Sequence, residues 1–264
     1  MTEFLLLTLY APLASWGDIA VGEVRGSWDR PSRSAVLGLA GAALGIDRDD
    51  QGAHDALDAG YGVAVRQDSA GAPLVDYHTA QTAVEATVKA LRRRDIPLTR
   101  RALLDKRGGD PQTILSRRSY RQDALATVAL WARGGAPWPL AELAERLRRP
   151  AFVLYAGRKA NAFGLPLDPE VVVADTLAAG FARRAGVPRA LDASRLRLAP
   201  VGAREVAHDA CADGFASGLR TVRREVRRDA GAQRTRWQFA ERVVEIGVPP
   251  SPGDGDPSTA GHAA

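Results

Sequence analysis

Residues 76–121, DYHTAQTAVEATVKALRRRDIPLTRRALLDKRGGDPQTILSRRSYR, decide how the rest of the chain is read. The stretch opens on Tyr77-His78-Thr79 and closes on Thr113 to Tyr120, with a dense basic run between. From Lys89 to Arg121 there are eleven Lys or Arg against three Asp, a net of +8, whereas the whole chain sums to only +5. The positive charge is local, and a local excess points to a polyanion that touches one place. The apolar residues Ile96, Leu98, Leu103 and Leu104 are too sparse for a core of their own. The pattern predicts an arm or long hairpin standing off a domain, turning at Gly108-Gly109-Asp110; a disordered charged loop is the competing reading.

Beyond that stretch, 264 residues suit one large or two small domains, and 45% hydrophobic with 25% charged residues is a globular composition. The single cysteine, Cys211, excludes an internal disulfide and a paired-cysteine metal site. No signal-peptide pattern and no apolar run of about 18 residues occurs, so a cytoplasmic protein with no membrane partner is expected. Arg supplies 33 of the 36 basic residues, so where the charges cluster says more than their chemical type.

Phe4 to Tyr10 is a short apolar run, interrupted only by Thr8, that reads as a buried central strand ended by Ala11-Pro12. Ser15-Trp16-Gly17 follows as a loop whose Trp16 either stacks on a base or plugs the domain edge. Arg30-Pro31-Ser32-Arg33-Ser34 precedes the small-residue run Ala35 to Leu44, which suits a helix packed closely on a sheet with Ser32 or Ser34 as N-cap. A basic loop at a helix N-terminus is also a phosphate site, because free N–H groups and the helix dipole add to Arg30 and Arg33.

A second short helix is expected from Asp47 to about Ala59, with strands at Tyr61–Gln67 and Pro73–His78. After the arm come a buried strand at Ala124–Ala132 and a helix at Pro139–Arg149 with Leu140, Leu143, Ala144 and Leu147 on one face. Phe152–Tyr155 reads as the next strand. Leaving the arm aside, this order is close to a ferredoxin-like βαββαβ layout, the fold of the RNA-recognition motif, although that module's aromatic strand signature is absent.

The expected fold class is α+β: a ferredoxin-like (RRM-like) domain over 1–165, a long inserted hairpin at about 79–119, and a smaller strand-rich region over 166–248. In the latter, Glu170 to Arg184 reads as a strand then a helix, and Leu196–Val201 as a strand. Leu219–Arg228 pairs with Trp237–Val248 through a turn at Asp229-Ala230-Gly231. That hairpin presents Arg220, Arg223, Arg224, Arg227 and Arg228, either as a second polyanion surface or as a solvated strand face. Residues 249–264 read as a disordered tail.

No P-loop, HExxH or GxSxG motif occurs, and His54, His78, His208 and His262 are too scattered for a metal site, so neither metal nor cofactor is expected. One set of residues suits metal-free chemistry: His78 beside Tyr77, with Arg117, Arg118 or Lys159, as base and phosphate clamp in RNA cleavage by the 2′-hydroxyl. The plainer reading has Tyr77 and His78 simply end a strand. Tyr155-Ala156-Gly157-Arg158-Lys159 places two cations beside a glycine that admits close backbone approach, which suits a nucleic-acid backbone or an ordinary exposed turn.

These residues carry a resemblance. Leu9 to Gly17, Pro31 to Leu39, Leu44 to Asp50, Asp76 to Thr79, Thr127 to Trp131 and Tyr155 to Lys159 resemble, in order over residues 4–167, the CasD family. That family comprises repeat-associated (RAMP) subunits of the type I-E CRISPR surveillance complex, Cascade. The resemblance implies a non-catalytic RNA-binding subunit that caps the 5′ handle of the guide RNA, adjoins the backbone and large subunits, and meets target DNA indirectly. It implies a thumb at about Thr79 to Ser119. By it, Arg33 and Ser34 match the basic turn before the first helix, in the loop that also holds Arg30, and Tyr77 and His78 match the thumb base. Arg118 matches the basic residue of the returning strand and Arg158 with Lys159 the glycine-rich loop; their neighbours Arg117, Tyr120 and Gly157 are candidate RNA contacts beside them. Where the family has Cys-Pro after that loop, Ala162-Phe163 stands here. The alternative is a metal-independent endoribonuclease acting on repeat RNA through Tyr77, His78 and Lys159.

Overall fold

The computed structural model describes residues 1–17, 20, 22–104, 111–184, 204–211, 214–233 and 238–250. Strand β1 (Thr2–Ala14) and the short β2 (Val24–Arg25) lead to helices α1 (Arg33–Leu44) and α2 (Gln51–Gly60) and strands β3 (Tyr61–Ser69) and β4 (Ala72–Thr82). Helices α3 (Glu85–Arg93) and α4 (Arg100–Leu103) precede the 21-residue strand β5 (Gln112–Ala132). Then come α5 (Leu140–Arg148), β6 (Glu170–Ala174), α6 (Leu177–Ala182), β7 (Val206–His208), β8 (Arg220–Gln233) and β9 (Gln238–Val248). The described strands form one sheet in the order β6-β1-β5-β3-β7-β9-β8, with β2 and β4 on the outer half of β5.

The apolar run at Phe4 does not alternate because both faces of β1 are covered. Leu5, Leu7 and Leu9 pack under α1, α2 and α5, while Phe4 and Leu6 pack with Leu177 and Phe181 of α6. On the second face Phe4, Trp131 and Phe215 meet edge to face at 5.3–6.4 Å, a geometry aromatic rings prefer. Gly62 is fixed by that packing, since a Cβ there would run into the Trp131 indole. The N-cap expected at Ser32 forms, its Oγ accepting from the Ala35 N–H at 3.2 Å; the second helix starts at Gln51 and not at Asp47, with Asp50 as its cap accepting from the Ala53 N–H at 3.0 Å.

Several expectations are corrected. Pro12 does not end β1, which stays in register with β5 through Ala14↔Arg121. Phe152–Tyr155 forms no strand. Instead the Ala151 and Phe152 N–H groups donate to the Ala43 and Ala42 carbonyls, satisfying the open end of α1, and Val153 is left 85% exposed. The edge beside β1 is taken by β6, from Thr2↔Ala174 to Leu6↔Glu170, so the sheet runs across the boundary expected at residue 165. Asp229 to Gly231 lie within β8, where register shifts turn the Asp229 carboxylate inward; pairing continues to Gln233↔Gln238. The Gly108–Asp110 turn, the Leu196–Val201 strand and the tail beyond residue 250 lie outside the described residues.

β4 pairs with the first half of β5 from Ala72↔Gln122 to Thr82↔Gln112. At about 3.3 Å per residue this makes a ribbon of roughly 35 Å. It is rooted deeper than residue 79, and its described far end carries α3 and α4. No described helix is long and apolar enough to cross a membrane.

Candidate nucleic-acid interface

The glycine-containing loop is tied to the root of the ribbon by its own backbone. Its Ala156 N–H donates to the Asn161 carbonyl at 2.7 Å, and the Ala156 carbonyl accepts from Asn161 Nδ2 and from the Ser15 N–H at 3.1 Å. Ser15 Oγ in turn donates to the Ser119 carbonyl of β5 at 3.2 Å. Gly157 has φ +84°, and a Cβ there would collide with the Ser15 carbonyl, so both conformation and space require glycine. The next side chain, Arg158, lies over the Tyr120 ring at 4.4 Å and donates from Nη2 to the Arg25 carbonyl at 3.4 Å. Its Nη1 is buried without a hydrogen-bond partner, and Lys159 beside it is exposed.

Register decides which cations join this seam. Arg118 of β5 lies between Asp76 of β4 and Arg25 of β2, His78 is opposite Ser116, and Leu74 is opposite Tyr120. Because side chains alternate along a strand, Arg25, His78, Arg118 and Tyr120 share the face on which Arg158 sits. Tyr77 and Arg117 share the other face with Val24 and Val75, and Tyr77 is 60% exposed there. The pairs Tyr77-His78 and Arg117-Arg118, adjacent in sequence, are each split across the ribbon. Arg118 Nε donates to Ser116 Oγ at 3.3 Å, and its terminal nitrogens have no acceptor among the described residues. His78 Nδ1 lies 3.6 Å from an Asp76 carboxylate oxygen.

Arg30 and Arg33, expected to face a phosphate, turn inward with 3% and 4% exposure. Arg33 Nη1 donates to the Tyr61 carbonyl at 3.0 Å and to Asp209 at 2.9 Å, Nη2 donates to the Asp58 carbonyl, and its N–H donates to Asp229 at 2.8 Å. Burial pushes this guanidinium below its ordinary pKa, against the pull of Asp209 and Asp58. The positive end of α1 is therefore satisfied by a carboxylate of the same chain, which explains why it is no phosphate site. Asp209 and Asp229 also hold Arg242, at 2.5 and 2.6 Å. Ser34 bonds Ser32 through their hydroxyls at 3.0 Å.

Arg30 pairs with Glu225 at 2.6 Å, Arg227 with Glu225 at 3.1 Å, and Arg223 with Glu205 at 2.6 Å. Arg224 and Arg228 meet Glu245 and Glu241, each at 2.9 Å. The arginines 223, 224, 227 and 228 of β8 are thus matched by carboxylates within the chain. Burial would raise Glu225, but Arg30, Arg223 and Arg227 hold it below the usual carboxylate range.

Between α1, the segment Phe152–Lys159 and the β8–β9 hairpin runs an open groove of about 1800 Å³. Trp28 stands in its wall, 37% exposed and stacked on Arg227 at 4.4 Å. Trp16 is 2% exposed and plugs the domain edge, its indole N–H without an acceptor. Arg25 and Trp28 escaped the sequence reading because neither sits in a charged or aromatic cluster; only the pairing of β2 brings Arg25 to the seam. No group of three His, Cys, Asp or Glu among the described residues is placed to hold a metal.

The arrangement defines a mixed α/β protein built on a large antiparallel sheet, with a cationic seam at the root of a long ribbon. The model of the family described as CRISPR-associated protein (Cas_Cas5) matches residues 4–245, and the chain belongs to that family. It is 33% identical over 176 residues to the "CRISPR system Cascade subunit CasD" of Escherichia coli, covering 63% of this chain and 70% of that one. A chain of a solved "CRISPR RNA-guided surveillance complex" superposes with a TM-score of 0.58 at 25% identity, over 93% of this chain and 91% of that one. A solved "Cas protein" does so at 0.54 and 24% identity, over 93% and 95%, and supports the fold alone. The resemblance read from the sequence blocks is borne out by these matches.

Proposed function

We propose that this chain is a non-catalytic subunit of a Cascade complex that caps the 5′ handle of a guide RNA. The observation that carries the reading is the seam itself: Arg118 and Arg158 share the face of Tyr120 where the loop grips the ribbon root, with the exposed Lys159 next in the chain. Free guanidinium nitrogens beside an aromatic ring suit phosphates and one or two splayed bases of a single strand. The order β6-β1-β5-β3, antiparallel throughout, supports reading the body as a ferredoxin-like domain, with β4 and the outer half of β5 as its thumb. Tyr77 and His78 lie on opposite faces of β4, which weighs against the endoribonuclease alternative, since base and partner would not converge on one phosphate.

The test is binding of a labelled single-stranded repeat RNA by the full chain across a salt series. Replacing Arg118 and Arg158 by Ala should weaken binding at least tenfold and reduce the salt slope by about 0.7 for each lost phosphate contact. Arg117→Ala, on the other face, should change it less. Equal losses from Arg117 and Arg118 would refute the seam, and specific cleavage in EDTA that disappears in His78→Ala would refute the non-catalytic reading.

A further inference from the structure

We propose that the helical end of the arm docks on the phosphate backbone of double-helical DNA, a second nucleic-acid surface separate from the seam. The inference goes beyond the handle-capping reading and stands on different residues. Between Glu85 and Leu104 the arm carries Lys89, Arg92, Arg93, Arg94, Arg100 and Arg101 against only Glu85 and Asp95. Lys89 is matched by Glu85 at 2.8 Å. These five arginines are exposed, and their guanidiniums meet no acceptor among the described residues. Away from the arm and the seam, Arg30, Arg33, Arg66, Arg223, Arg224, Arg227, Arg228 and Arg242 each meet a carboxylate of the chain. Five like charges within ten residues repel one another, and the counter-charge that relieves this must come from outside.

The side chains beside the cations select the partner. Residues 80–119 contain no Phe, Tyr or Trp, so the arm has no platform on which unpaired bases stack, and a single strand is disfavoured. The helical end has no side-chain amide and only two hydroxyls with which to read base edges or 2′-hydroxyls. Thr87 is buried, and Thr99 Oγ1 caps α4 by accepting from the Ala102 N–H at 3.2 Å. Cations without aromatic or polar companions fit regularly spaced phosphates and nothing more specific, which is backbone contact with duplex DNA. Distance separates this surface from the seam. Six residues of ribbon, from Arg118 to Gln112, already span about 20 Å before the helices begin.

Fluorescence anisotropy of the full chain with a labelled DNA duplex of arbitrary sequence, about three helical turns long, tests the proposal. Five phosphate contacts predict a log–log salt slope near −4.5, about a 500-fold loss of affinity from 50 to 200 mM salt. Replacing Arg92, Arg93, Arg94, Arg100 and Arg101 together by Gln should abolish most of that slope. Replacement of all five by Lys should keep it, and an unchanged circular dichroism spectrum and melting temperature establish that both variants fold. Binding of the single-stranded repeat RNA should survive the Gln variant and be lost in Arg118→Ala/Arg158→Ala, so the two surfaces fail separately. Duplex affinity unmoved by the Gln variant would overturn the proposal. So would a single strand, or duplex RNA, bound more tightly than duplex DNA through the same five residues.

Discussion

Gly157 shows how much of the interface rests on one backbone position. The residue is left-handed and its Hα side faces the Ser15 carbonyl, so alanine would have to break the contact that seats the loop on β1. Gly157→Ala should therefore cost about 2 kcal/mol or more in urea unfolding and weaken handle-RNA binding, because Arg158 moves with the loop. Gly134→Ala is the matched control. It has an ordinary φ and no atom within 4 Å of its missing Cβ, and should leave stability and binding within experimental error. Equal effects from the two would show that the loop is not held by this contact.

At the scale of elements, the C-terminal hairpin is fastened to α1 by charge. The Asp229 carboxylate, 6% exposed, accepts from the first N–H of α1 and from Arg242 at 2.6 and 3.1 Å. Removing it leaves the first N–H of α1 without its acceptor and Arg242 with Asp209 alone, so Asp229→Ala should cost about 2 kcal/mol by denaturant midpoint. The exposed pair Arg228–Glu241, with side chains 53% and 60% accessible, should lose no more than about 0.5 kcal/mol on Glu241→Ala. Comparable costs would mean that the network does not anchor the hairpin. Sequence could not announce this, because Asp229 and its helix are 196 residues apart and a lone Asp looks like any surface residue. What it did announce was local. Periodic apolar spacing points to α5, a serine cap before a small-residue run to α1, and alternation to the β8–β9 pairing. Two apolar segments, at Phe152 and at Val171, competed for the edge of β1, and the choice rested on which one capped α1, a tertiary fact. The division of Tyr77 from His78 was legible in principle, since adjacent residues of any strand point to opposite faces.

Across the molecule, charge is divided by location: the arginines of the arm lie open, whereas those of β8 and of the Arg30–Arg33 turn are matched by carboxylates. Glu205 and Glu225 join the approach to β7, the edge strand β8 and the Asp29–Arg30 loop, three regions far apart in sequence. The Arg223 hydrogen bonds hold Glu205 below its ordinary 4.5, and Glu225 is also held low. Both carboxylates are depressed in the folded state, so their contribution is fully present above about pH 4.5. As pH falls further the unfolded chain takes up protons first, and stability declines through the folded-state values. The melting temperature should therefore drop steeply on acidification below that point. Glu205→Gln should melt lower near neutrality, because Arg223 loses one of its two charged partners, yet fall less steeply with acid. Parallel acid limbs in the two proteins would show that the depressed carboxylate does not link these regions.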